Sequence, residues 1–392
     1  MNRIKQLIEE LCPEGVEFKE LGEVAYILNG YAFKSKLYSK DGVRVIRISD
    51  VQKGRISGES LIFYPIQTLN EIENYLLYEN DLVMSLTGNV GRVAIISNKH
   101  LPAGLNQRVA CIRVIDNNKV LIRFLFHFFD QNEFERDAMN SSSGAGQKNM
   151  STIWLSNYKI PIPPLPIQQE IVRILDTFTA LDGSLQAELE ARRKQYEHYR
   201  NQLLNFEGKE VEWKTLGEIG NIQRGVRVVR NQLLESGKYP VYQNSMKPLG
   251  YFDKSNYKAN TTFIISAGAA GDIGYSDVDF WAADDCFLCL CPDNLNSKFL
   301  YYFLLCNQNY LYSRVRRASV PRLSREVVEK IKIPLPPLTE QERIVGILDK
   351  FDALVSSTGS ATGGIPAEIA ARRKQYEYYR EKLLSFEIKG NK

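Results

Sequence analysis

The chain has 392 residues, 44% of them hydrophobic, and a formal net charge of only +4. That is enough apolar material for two ordinary cores, yet no run reaches the roughly 18 apolar residues a membrane helix needs. The opening MNRIKQLIEELCPEG places acids where a secretory leader has its apolar stretch, so a cytoplasmic protein is expected.

In chain order, Ile4, Leu7, Ile8 and Leu11 predict a short amphipathic helix, followed by VEFKELGEV at 16–24. Residues 26–157 then read as strands and turns. VRVIRIS (43–49) is β-branched and alternating, and DLVMSLTGNVGRVAIIS (81–97) has the strand–turn–strand pattern of a hairpin. IRFLFHFFDQ (122–131) predicts an aromatic helix.

Next come a proline strap and a long apolar-striped segment, IPIPPLPIQQEIVRILDTFTAL (160–181) and ARRKQYEHYRNQLLNFE (191–207). Proline blocks helix until the strap ends, so the helix should begin near Pro166 and break at Gly183. From there everything returns. VEWKTLGEI (211–219) repeats VEFKELGEV, IPLPPLTEQERIVGILDKFDAL (333–354) repeats the strap, with a helix from near Thr339, and ARRKQYEYYREKLLSFE (371–387) repeats the tyrosine-rich segment. Between these echoes, residues 221–330 hold another strand–turn–strand, TTFIISAGAAGDIGYS (261–276), and another aromatic helix, SKFLYYFLLCNQ (297–308).

The period is about 180 residues, far above that of stacked repeats, so this is a domain-sized duplication. Two similar frames carry two diverged inserts of one mixed α/β fold. A helix with one apolar stripe must bury it, and the available partner is the other copy. The expected class is therefore α+β: two mixed α/β domains and an antiparallel pair of long helical regions related by a pseudo-twofold duplication. The expected boundaries are 1–157 for the first helix and first insert, 158–207 for the central frame, 208–330 for the second insert and 331–392 for the last frame. The N-terminal helix should stand in for a missing frame end and, by packing on the C-terminal frame, bring the molecule toward a closed pseudo-twofold ring. About seven extra residues in VSSTGSATGGIPAEIA form a Ser/Gly-rich hinge around 356–364.

Arginine is clustered in both inserts. The first holds Arg44, Arg47, Lys53, Arg55, Arg92, Arg108, Arg113 and Lys148; the second holds Arg224, Arg227, Arg230, Arg314, Arg316, Arg317, Arg322 and Arg325. A charge run is commonly a solvated face, but recurrence in both inserts, beside Tyr, Asn and Gln, suits phosphate contact and base-edge reading. The DNA-contacting candidates are Arg44, Arg47, Arg55, Arg92, Arg108, Lys148, Arg224, Arg227, Arg230, Arg314, Arg316, Arg317 and Arg322.

Other chemistry is poorly supplied. FLCLC (287–291) reads as a buried strand, and the three histidines lie far from Cys286, Cys289 and Cys291, so no metal site is expected. Gly88, Gly91, Gly268, Gly271 and Gly274 could cradle phosphate but more simply supply positive φ in hairpins. SGAGQKN (143–149) lacks the first glycine of a P-loop and the Ser/Thr after Lys148. There is no adenine-methyltransferase Asn/Asp-Pro-Pro-aromatic loop, no methyl-donor glycine motif and no helicase acidic box, so no catalytic residue and no cofactor is expected.

The duplicated IPIPPLPIQQEIVRILD and IPLPPLTEQERIVGILD, the duplicated ARRKQYE-x-YR-x-x-LL-x-F and the VE[FW]K-x-LGE[VI] before each insert resemble the specificity subunit of type I restriction–modification systems over the whole chain. The resemblance implies a non-catalytic subunit with two target-recognition domains, each reading half of a split DNA site. It implies helical regions that set the spacer and dock two modification (methyltransferase) subunits, with restriction subunits joining the larger complex. LQAELEA (185–191) falls where spacer length varies in that family. It does not say which residues read bases. The alternatives are a self-contained restriction–methylation enzyme, which clear methyl-donor binding by the isolated chain would favour, and a non-DNA scaffold with the inserts as protein-binding modules, which the clustered arginines argue against and a salt titration of DNA binding would discriminate.

Overall fold

The computed structural model describes residues 2–144, 148–356 and 363–390. The chain divides into two compact units, Met1–Ser184 with Ile369–Lys392, and Leu185–Glu368.

Both units are built on one plan. The first has a four-stranded antiparallel sheet in the order Ala25–Asn29, Val109–Val114, Leu82–Ser85, Val93–Ile95. The second has Asn221–Arg224, Cys286–Leu290, Thr261–Ile265, Ile273–Ser276 in the same order. Each carries a smaller sheet with one parallel pair: Val43–Ile46 beside Ala103–Leu105, and Tyr239–Tyr242 beside Trp281–Ala282. The inserts are thus one mixed fold with different surfaces, as the matching patterns predict.

The two central strands of each main sheet are buried on both faces, which is why they read as nearly unbroken apolar runs. In Val109–Val114, Ala110 and Ile112 join the core under the helices, while Val109 and Cys111 join the core under the smaller sheet. The alternation recurs in Cys286–Leu290, where Phe287 and Cys289 face the helices and Cys286 and Leu288 face the other way. The period of a strand therefore sends Cys286 and Cys289 to opposite faces. Burial raises both thiol pKa values, that of Cys286 to about 12.

The repeated motifs are partners in space. Phe18–Glu20 pairs antiparallel with Lys159–Pro161, and Glu212–Thr215 with Lys332–Leu335. Each VE[FW]K is therefore held by the start of its own proline strap. The LGE that follows opens a short helix whose glutamate turns back to cap it: Glu20 N–H donates to Glu23 Oε1 at 3.0 Å, and Thr215 N–H to Glu218 Oε2 at 2.8 Å. The glycine between sits in a close approach: a Cβ at Gly22 would lie 2.2 Å from Ser156 Oγ, and one at Gly217 would lie 3.0 Å from the Glu329 Cβ.

The straps lead into helices at Leu165 and Leu338, within a residue of the positions expected. Here the predicted break at Gly183 is corrected: one helix runs Leu165–Leu203, 39 residues or about 58 Å. A Cβ at Gly183 would meet nothing within 4 Å, so the glycine sits on an open helix face at a cost of about 1 kcal/mol and nothing forces a turn. The second frame is divided, into Leu338–Val355 and Gly364–Leu384. Most of the expected Ser/Gly hinge, 357–362, lies outside the described residues.

The frames pair with each other, as their single stripes require. Phe178 of the first frame stacks on Tyr379 of the second at 5.6 Å; reciprocally, Phe351 of the second stacks on Tyr199 of the first at 5.4 Å. In the first unit Arg373 adds an ion pair to Asp182 at 2.7 Å. The N-terminal helix Asn2–Leu11 sets Ile4, Leu7 and Ile8 into the same core as Leu383, Leu384 and Phe386, the place that Leu203, Leu204 and Phe206 take in the second unit. Val16 exchanges backbone bonds with the chain end, accepting from Lys389 N–H at 3.0 Å and donating to Glu387 O at 2.8 Å. The expected packing of the first helix on the last frame is present.

One repeated residue ties frame to insert. Gln168 is fully buried; its amide donates to Pro163 O at 2.7 Å and Lys119 O at 2.8 Å, and its oxygen accepts from Leu121 N–H at 2.9 Å. Gln341 repeats this with Pro336 O, Asn294 O and Asn296 N–H. Each clasp fixes strap, helix and the approach to the aromatic helix at once. Gln168→Leu takes the partner from three backbone groups that meet at a buried side chain, at about 1 kcal/mol or more each. It should lower the melting temperature of the full chain by about 6 °C or more. Calorimetry checks this, and an unchanged transition would deny the clasp its role.

Candidate nucleic-acid interface

At one end of each main sheet five segments converge: the end of the first strand, the end of a smaller-sheet strand, the segment leading into the second strand, the glycine turn of the hairpin, and a loop from the helical side. The same five backbone bonds lace them together in both units. In the first, Tyr31 N–H donates to Leu105 O, Asn106 N–H to Ile46 O, Leu86 N–H to Arg108 O, Gly88 N–H to Lys148 O and Met150 N–H to Leu86 O, all at 2.7–3.1 Å. In the second, Val226 N–H donates to Ala282 O, Ala283 N–H to Tyr242 O, Ser266 N–H to Asp285 O, Gly268 N–H to Pro321 O and Leu323 N–H to Ser266 O, over the same range.

The glycines earn their place here. Gly88, Gly91, Gly268 and Gly271 have φ of 77°, 82°, 83° and 93°, where a side chain is strained. A Cβ on Gly268 would also lie 2.8 Å from Asn244 O. Their N–H groups are spent on this lacing, Gly88 on Lys148 O, Gly91 on Ser85 O, Gly268 on Pro321 O and Gly271 on Ile265 O. The hairpin reading therefore describes them better than a phosphate cradle.

What the rims expose differs. The first presents Asn29, Asn89, Gln107 and Asn149 with Arg108 and Lys148. Residues 145–147 of its loop, part of the P-loop look-alike, lie outside the described residues. The second presents Arg224, Arg316, Arg317 and Arg322 with Asn244. Its loop closes on itself, Arg316 N–H donating to Arg322 O at 2.8 Å and Arg322 N–H to Arg316 O at 3.1 Å. Arg224 Nε donates to Asp284 O at 2.6 Å, leaving the rest of its fork outward. One rim thus offers amides that both donate and accept, and the other offers mainly charged donors.

The remaining candidates fall elsewhere. Arg227 and Arg230 are exposed on the loop after Arg224, which Trp281 Nε1 fastens by donating to Val226 O at 2.8 Å. Arg314 is exposed over the Tyr310 ring at 5.3 Å, and Arg55 is exposed on a short strand. Three others are engaged inside the first unit. Arg44 is 8% exposed and donates to Ser57 O at 2.5 Å. Arg47 pairs with buried Asp50 at 3.2 Å, and Arg92 binds Gln52 Oε1 at 2.9 Å and faces Glu135. These guanidinium groups stabilise loops and have little left for a ligand. The amides Asn29, Gln107 and Asn149 were not among the sequence candidates; a charge-based search cannot see them, and only alignment of the two inserts by strand order brings them into view.

Among the described residues no group of three or more His, Cys, Asp or Glu could hold a metal, and no helix is long and apolar enough to cross a membrane.

The family described as type I restriction modification DNA specificity domain matches twice, over residues 13–191 and 208–366. The chain is 35% identical over 306 residues to the EcoR124I/EcoR124II specificity subunit of Escherichia coli, covering 69% of this chain and 72% of that one. It is 30% identical to the EcoprrI specificity subunit of the same species, covering 87% and 89%. In fold it is similar to a type I restriction–modification S subunit from M. genitalium, with a TM-score of 0.65 at 18% identity, over 94% of this chain and 96% of that one.

Proposed function

We propose, since the chain belongs to the type I restriction–modification DNA specificity family, that each rim reads one half of a bipartite DNA site. The chain is the non-catalytic recognition subunit: it binds DNA, and modification and restriction subunits carry the chemistry. Target recognition falls to the inserts within 1–157 and 208–330, and the helical frames 158–207 and 331–392 set the spacer and dock the modification subunits. On this reading the chain acts in the cytoplasm, where its DNA lies.

The supporting observation is the pair of rims. An identical backbone lacing carries two different sets of exposed side chains, which is what two readers of two different sequences need. In the first, Asn29, Gln107 and Asn149 suit adenine edges, with Arg108 and Lys148 on phosphate or guanine. In the second, Arg316, Arg317 and Arg322 on the closed loop and Arg224 beside it suit guanine or phosphate. Arg55, Arg227, Arg230 and Arg314 are left to flanking phosphates, and Arg44, Arg47 and Arg92 to holding loops in place.

Single alanine substitutions at Arg316, Arg317 and Arg322, in complex with modification subunits, separate these roles. A phosphate contact should flatten the slope of log affinity against log salt by about 0.9. A base contact should cost roughly 1–3 kcal/mol of discrimination at one position. If all three variants keep both slope and specificity, the rim is not the reading surface.

A further inference from the structure

The two inserts meet their frames differently at one buried charge. Arg380, on the terminal helix Gly364–Leu384, is 1% exposed. Its Nη1 bonds Asp130 Oδ2, and its guanidinium lies over the Tyr376 ring at 4.9 Å. Asp130 itself is 6% exposed and ends the aromatic helix Ile122–Phe129 of the first insert. Among the described residues, the Nε and Nη2 of Arg380 and the Oδ1 of Asp130 find no hydrogen-bond partner. Burial pushes the Asp130 carboxyl up to about 6 against the pull of the Arg380 charge.

The duplication supplies its own comparison. Arg200 repeats Arg380 and lies over Tyr196 at 5.5 Å. The aromatic helices align through His127, bonded to Asp176 at 2.7 Å, and Tyr302, bonded to Asp349 at 2.6 Å. Three residues on from each stand Asp130 and Leu305. The second insert thus offers its frame arginine no carboxylate there, and Arg200 stays only half-buried.

We propose that Asp130 and Arg380 are a matching pair that decides which inserts can occupy the first position of this frame. An insert docked there encloses Arg380, which cannot shed its charge. With leucine at the matching place, as in the second insert, a full charge would be buried without a partner, the costly way of breaking such a pair. At the second position Arg200 also has a buried Nε with no hydrogen-bond partner among the described residues, but the side chain as a whole is only half-buried, so the demand for a carboxylate is weaker. The frame therefore distinguishes inserts by one internal carboxylate, independently of the residues that contact DNA.

The test is a melting cycle on the full chain. Asp130→Leu should lower the transition by about 6 °C or more. Arg380→Met should cost less, because Asp130 can then take up a proton. The double variant should melt above Asp130→Leu. If its shift instead equals the sum of the two single shifts, the residues do not recognise each other and the proposal fails. A graft of 221–330 in place of 26–157 gives a second reading: with Leu305→Asp it should melt above the unaltered graft, and equal or lower melting would overturn the proposal. Should neither graft fold, the cycle on the native chain decides alone.

Discussion

Replacing residues 26–157 by the matching insert of a relative will change one half of the methylated site and leave the other half as it was. The replaced stretch brings its own small sheet and its own core of Val43, Val45, Tyr64 and Ile72, while the ribbon strand Phe18–Glu20 that meets the strap stays behind. Each altered base pair costs about 1–3 kcal/mol. Three altered positions then shift preference by roughly two to six orders of magnitude. Mapping methylated adenines in DNA exposed to the hybrid complex decides it, and a hybrid whose two halves both change would refute independent reading. By the matching pair above, the incoming insert should carry an acid at position 130.

Four residues inserted after Leu189 will lengthen the spacer between the half-sites by about one or two base pairs and leave both half-sites intact. Position 189 lies inside an uninterrupted helix, so the insertion adds about 6 Å and turns the downstream stripe by only about 40°. Two residues turn it by about 200° and carry Tyr196 and Tyr199 off Phe351, which should abolish recognition rather than retune it. The same four residues placed in 356–364 should leave the spacer unchanged. An unaltered spacer in the first variant would mean that this helix does not set it.

Much of the architecture was legible because the duplication repeats its own punctuation. Leu82–Ser85 with Val93–Ile95, and Thr261–Ile265 with Ile273–Ser276, stood out as hairpins from glycine between β-branched runs. Gly183 misled because intrinsic propensity is weak, and the apolar contacts of Phe178 and Tyr199 on either side outweigh one glycine. Arg44, Arg47 and Arg92 look in sequence like Arg316 and Arg317. What separates them is Ser57 O, Asp50 and Glu135, and the last is 43 residues beyond Arg92. The clasp residues Gln168 and Gln341 were in view within repeated motifs, but a polar residue on a helix reads as surface until the buried carbonyls around it are known.

The bond between Val16 and the chain end has a consequence for synthesis. Residues 185–368 form a unit from one continuous stretch, complete once the ribosome has passed them. The first unit leaves the ribosome earlier yet lacks its last helix until 369–390 emerge, so the part made first is finished last. Throughout that interval the faces of Ile4, Leu7 and Phe178 that await Leu383, Leu384 and Tyr379 stand open to water. A stop codon between positions 369 and 390 would therefore harm the amino-terminal reader more than its neighbour.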